Sequence, residues 1–214
     1  MKKIKTIDEV MEYLKDGMTV SIGGFLGVGT PNKLIDAMIE KGLKNITLIA
    51  NDTASPTSGV GKLIVNKVCS KVIVSHIGTN PETQKQMNEK ELDVELSPQG
   101  TLIERIRSAG AGLGGVLTPT GIGTIVAEGK QILEIQGKEY LLELPIRADV
   151  ALVMASIVDK KGNCYYNKAT RNFNPIIATA ADVTIVQAEK IVEVGEIDQT
   201  DVMTPSIFVS YIVE

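Results

Sequence analysis

Apolar residues in this chain collect in short segments, at 18–22, 46–50, 71–76, 150–154 and 183–187, broken only by single or terminal polar residues. Segments of that length, rich in β-branched residues and free of charge in their interiors, predict strands covered on both faces, the usual state of a parallel sheet. Between them the spacing changes to that of helices. Ile7, Val10, Met11 and Leu14 form one stripe behind a capping box at Thr6-Ile-Asp-Glu9. Leu34, Ile35, Met38 and Ile39 form another over 31–41, with Thr30 expected as N-cap, Pro31 at the first helical position and Gly42 as the stop. A charged surface helix is expected over 81–91, then a short strand at 94–96 ended by Pro98. A second capping box at Thr101-Leu-Ile-Glu104 predicts the start of a helix carrying Arg105 and Arg107. From 131 to 144 the alternation predicts a hairpin turning at Gln136-Gly137. A helix-like stretch at 175–181 and a last strand over 207–213 complete the pattern. Strand–helix alternation through the first half defines an α/β fold: an open, mainly parallel sheet with helices on both faces and antiparallel strands added later. Repeats, low-complexity tracts and linkers are lacking, so a single domain over 1–214 is expected.

Composition narrows the function classes. The chain of 214 residues is long enough for one full core. A net charge of −4 with interspersed signs, together with the absence of Trp, argues against nucleic acid or an anionic membrane as partner. The two cysteines, Cys69 and Cys164, lie far apart in sequence, without metal-ligand spacing, and read as reduced thiols. The N-terminus turns acidic before an apolar segment can form, and no apolar run is long enough to span a membrane, so a cytoplasmic location is expected.

The stretch from Val20 to Pro31 carries the strongest chemical signal. A strand end is followed by Gly23, Gly24, Gly27 and Gly29, with Phe25, Leu26 and Val28 held between them, and then by a helix start. Strand, glycine loop and helix N-terminus together offer backbone amides to an anionic ligand. The loop lacks the Gly-Lys-Ser/Thr of a P-loop and the third glycine of a dinucleotide fingerprint. Gly110-Ala-Gly112-Leu-Gly-Gly115 satisfies G-x-G-x-x-G literally, but a helix precedes it and a Thr/Pro/Gly loop follows, the wrong context for a dinucleotide site. Asn51, His76 and Gln99 stand at predicted strand ends, the rim on which open α/β sheets bind ligands. Asn and Gln can donate to a developing oxyanion without titrating. No residue sits in an activated-nucleophile motif and no His/Cys/acid cluster suggests a metal. A binding loop without a nucleophile reads as half an active site.

Gly23-Gly-Phe-x-x-x-Gly29-x-Pro31 resembles the signature of family I coenzyme A transferases. Ala50-Asn51-Asp52, Ser97-Pro98-Gln99-Gly100-Thr101-Leu102, Gly110-Ala-Gly112, Thr118-Pro-Thr-Gly-x-Gly-Thr124 and Ala169-Thr-Arg-Asn-Phe-Asn174 are similar to segments that follow in the same order in alpha subunits of that family. The likeness runs nearly the full length and is strongest to the enzymes of short-chain fatty acids (acetate, butyrate, acetoacetate). It implies ping-pong transfer of CoA from an acyl-CoA to a carboxylic acid through a glutamyl-CoA thioester. The glutamate belongs to a Ser-Glu-Asn-Gly motif of the beta subunit, a motif lacking here, which implies an α2β2-type assembly. The resemblance also implies that Gly23, Gly24, Phe25, Leu26, Gly27, Val28 and Gly29 contact CoA, a substrate and not a permanently bound cofactor. By the same carry-over, Asn51 and Gln99 approach the reacting carboxylate. Thr170 stands where many relatives have Ser. Two other readings compete: a sugar-phosphate isomerase-like phosphate binder, which needs an in-chain base, and a non-catalytic ligand-sensing module.

Overall fold

The computed structural model describes residues 3–214. Seven strands form a parallel sheet in the order β11-β10-β8-β1-β2-β3-β4. They are β1 Thr19–Ile22, β2 Ile46–Ile49, β3 Cys69–Val74, β4 Asp93–Leu96, β8 Ala148–Asp159, β10 Ala181–Val192 and β11 Tyr211–Val213. A two-residue strand, β9 Cys164–Tyr165, pairs antiparallel with β8. The strand order explains where a site can form. From β1 the chain moves outward through β2, β3 and β4, then returns to the other side of β1 as β8 and moves outward again. The direction reverses between β1 and β8, and the carboxyl ends of strands at such a switch point leave a crevice.

Alternation within strands splits the apolar residues between two helical layers. Val20, Ile22, Leu48, Val72 and Val74 face helices α1 Ile7–Met11, α2 Asn32–Glu40 and α3 Gly61–Val65, where Val10, Leu34, Ile35, Met38, Leu63 and Ile64 are buried. Ile49, Ile73, Ala151, Val153 and Val186 face α5 Gln99–Gly110 and α6 Asn174–Ile177, through Leu102, Ile106 and Ile177. Each fully buried Leu or Ile contributes about 2 kcal/mol of transfer free energy. α4 Pro81–Asn88 is capped by the Asn80 side chain.

The Thr6 capping box forms as expected. The hairpin also forms, from β6 Ile132–Ile135 and β7 Lys138–Glu143, with Gln136 and Gly137 at φ 54° and 74°. Those values are the positive pair that a two-residue type I′ turn requires. β5 Val116–Thr118 adds to β7, giving a separate three-stranded antiparallel sheet. The expected strand at 207–213 is confined to Tyr211–Val213, after a short 3-10 turn.

Two helix starts differ from expectation. α2 begins at Asn32 with Pro31 in the cap position, and Thr30 is not its cap. Its first amides are capped from β10, where Gln187 Oε1 accepts from Lys33 N (2.9 Å) and Leu34 N (3.4 Å). α5 begins at Gln99, so Thr101 lies inside the helix with its hydroxyl buried and unpartnered, while Glu104 pairs with Arg107. Pro98 presets the backbone one turn early, and the box-like pattern becomes an ordinary helical interior.

Candidate functional site

Asn51 and Gln99 come from different elements and meet. β2 ends at Ile49 and delivers Asn51; Pro98 opens α5 and delivers Gln99. Gln99 Nε2 donates to Asn51 Oδ1 at 3.0 Å, and the Ser75 hydroxyl lies 2.6 Å from Asn51 O and 3.0 Å from Oδ1. Asn51 is only 4% exposed. The Ser75 proton goes to the closer backbone oxygen, and the Gln99 donor fixes Oδ1 as the acceptor, so Nδ2 is left as a donor with no acceptor among the described residues. Both residues line a cavity of about 290 Å³ with Phe25, Gly100, Ile103, Asn172 and Phe173. No side chain caps α5, so the positive end of that helix, at Gly100, also faces the cavity. A carboxylate or an oxyanion placed there meets amide donors and a helix N-terminus, with no basic side chain in the lining.

His76 is not part of this arrangement. It is exposed, outside the cavity lining, and its carbonyl accepts from Thr53 N. The cysteines are both buried and free, and burial pushes each thiol up to about 12, which keeps them protonated and inert.

The glycine loop is built differently from a bare amide cradle. Phe25 and Val28 exchange two backbone hydrogen bonds (3.0 and 2.8 Å) around Leu26 and Gly27, at φ 48° and 85°, making a miniature type I′ turn. Gly23 N donates to Leu152 O of β8, Gly24 N to Asn172 Oδ1 and Leu26 N to the buried Asp52 carboxylate. Only Gly27 and Gly29 keep amides without an acceptor among the described residues. The expectation of many amides offered to an anion is therefore corrected: the chain itself consumes most of them. What the loop presents outward is the apolar trio Phe25, Leu26 and Val28, each more than two-fifths exposed.

Its glycines serve close packing. A Cβ on Gly23 would lie 1.7 Å from Asn174 Oδ1, and one on Gly24, at φ 130°, 2.2 Å from Thr30 Oγ1. Asn172 and Asn174 staple the loop in place. Asn172 donates to Val28 O (3.0 Å), while Asn174 donates to Gly29 O (2.8 Å) and accepts from Met154 N of β8 (3.0 Å). Sequence reasoning quoted these two asparagines within a family motif without giving them a job. Their only local signal is a pair of amides flanking Phe173 at the start of α6.

The arrangement is a rim of uncharged donors at the carboxyl ends of a parallel sheet, beside an apolar-tipped loop. The coenzyme A transferase family model matches residues 4–214, and the chain belongs to that family. It is 53% identical over 211 residues to the acetate CoA-transferase subunit alpha of Escherichia coli (strain K12), covering 99% of this chain and 96% of that one. It is 52% identical over 212 residues to the acetoacetyl-CoA:acetate/butyrate CoA transferase alpha subunit of Clostridium acetobutylicum, covering 99% and 97%. In fold it superposes on an acyl-CoA transferase from Escherichia coli O157:H7 in thioester complex with CoA, at a TM-score of 0.87 and 22% identity. That likeness covers 98% of this chain but 46% of the solved one. Glutaconate coenzyme A-transferase from Acidaminococcus fermentans gives 0.86 at 20% identity, covering 99% and 75%. The family expected from the motifs is the family found, and among the described residues no helix is long and apolar enough to cross a membrane.

Proposed function

We propose that this chain is the alpha subunit of a two-chain CoA-transferase that moves CoA between a short-chain acyl-CoA and a carboxylic acid such as acetate, butyrate or acetoacetate. The observation that carries the reading is the Asn51–Gln99 pair, two neutral donors converging on a cavity whose lining contains no carboxylate. Such a site stabilises a reacting acyl group and supplies nothing to attack it. The attacking carboxylate is a glutamate of the beta subunit.

Its oxygen adds to the thioester carbonyl, and the C–S bond breaks to give a mixed anhydride and CoA thiolate. The thiolate then attacks the glutamyl carbonyl, the anhydride C–O bond breaks, and the donor acid leaves. An acceptor carboxylate attacks the resulting enzyme thioester, and the thiolate returns to the acceptor's acyl carbon, freeing the glutamate. Each addition places negative charge on a carbonyl oxygen. Asn51 Nδ2, the second hydrogen of Gln99 Nε2 and the α5 N-terminus are fixed beforehand to receive it, an effect worth about 3 kcal/mol per donor in other acyl transfers. The loop Gly23–Gly29 holds the carrier through Phe25, Leu26, Val28 and the two open amides. A phosphate-cradling isomerase fits poorly, because most of the loop's amides already have acceptors.

The test is transfer from acetoacetyl-CoA to acetate. The chain alone is expected to show none, and coexpression with a beta chain bearing Ser-Glu-Asn-Gly restores it. Gln99→Ala in the complex is expected to lower kcat about a hundredfold. Full activity of the isolated chain contradicts the reading.

A further inference from the structure

Gln99 and Ile103 are four residues apart on α5 and line the same cavity. Four residues of helix rise about 6 Å, and residues at that spacing share a face. The distance between the amide end and the Ile103 end of the cavity is thus set by the helix itself. With C–C bonds of about 1.5 Å, a carboxylate held at Gln99 and Asn51 brings the third or fourth carbon of its tail to Ile103. Phe173, buried, and Phe25, half-exposed, add aromatic faces to the lining. Neither Lys nor Arg lines the cavity, so a second carboxylate at the tail end loses water and gains no counter-charge. The polar loop 55–61 packs against the glycine loop through Ser58 and Gly59 and lines none of this cavity.

We propose that Ile103 determines acid specificity: it limits the length of the acyl tail and excludes dicarboxylates. This rests on the preceding reading that the cavity receives the acid's carboxylate. Ile103 is only partly buried and packs on the edge of its core cluster, so it can be changed without excavating the interior.

The experiment uses the complex of this chain with its beta subunit, acetoacetyl-CoA as donor, and acetate, butyrate, hexanoate and succinate as acceptors. Specificity is read as ratios of kcat/KM within one preparation. Ile103→Ala is expected to raise the hexanoate-to-acetate ratio about tenfold. Ile103→Arg is expected to raise the succinate-to-butyrate ratio by a similar factor, because a guanidinium then meets the second carboxylate. Ile103→Val removes one methyl and shifts the first ratio in the same direction by a smaller factor, which covers failure of the larger changes to fold. Ratios within twofold of the parent, in variants that still transfer CoA to acetate, overturn the role of Ile103 and leave the function standing. An unmodified complex that transfers CoA to none of the four acids removes the function and this inference with it.

Discussion

The two glycine-rich segments look alike on paper and do unlike work. In Gly23–Gly29 the absent side chains are filled by neighbours, since Asn174 and Thr30 occupy the places where a Cβ on Gly23 or Gly24 would lie. In Gly110–Gly115 the two ends are crowded, by Thr179 at Gly110 and by the Glu143 carbonyl at Gly115, but the middle is open: nothing lies within 4 Å of a Cβ on Gly112 or Gly114. Gly112, at φ 70°, simply ends α5. Leu113 N donates to Ser108 O (2.8 Å) and Gly112 N to Ala109 O (3.2 Å), the paired bonds of a Schellman stop. One segment holds the rim of the site in shape, and the other turns the chain toward β5. Glycine frequency therefore marks a place where backbone geometry is special without saying which kind of special it is.

Substitutions sharpen that contrast. Gly23→Ala must displace Asn174 and with it the bonds to Gly29 O and Met154 N. The expected loss is about 3 kcal/mol, seen as a fall in melting temperature of roughly 10 °C together with loss of transfer activity. Gly112→Ala meets only the left-handed backbone penalty, about 1 kcal/mol, and leaves activity of the folded complex intact. Gly114→Ala, in open space, is expected to change stability by roughly 0.5 kcal/mol or less, in either direction. Equal effects at Gly23 and Gly114 in calorimetric melting would erase the distinction.

Much of the fold could be read from the chain because parallel strands and their covering helices announce themselves locally. The runs at Val20, Leu48 and Val72 needed no tertiary knowledge. What escaped depends on partners distant in sequence. The cap of α2 comes from Gln187, more than 150 positions away, so Thr30 looked like the natural candidate. β5 is three residues long and is a strand only because β7 lies beside it. In the site, Asn51 and Gln99 were legible as strand-end amides. Ser75, Asn172 and Asn174 were not, because their roles exist only once β3, the glycine loop and β8 are adjacent.

The proposed function divides the labour: this chain supplies neutral donors and a shaped loop, and another chain supplies the nucleophile. Intact-mass analysis of each subunit after incubating the complex with acyl-CoA tests it most directly. A CoA thioester on the beta subunit, with this chain unmodified, is the predicted result. A covalent CoA or acyl adduct on a glutamate or aspartate of this chain contradicts it.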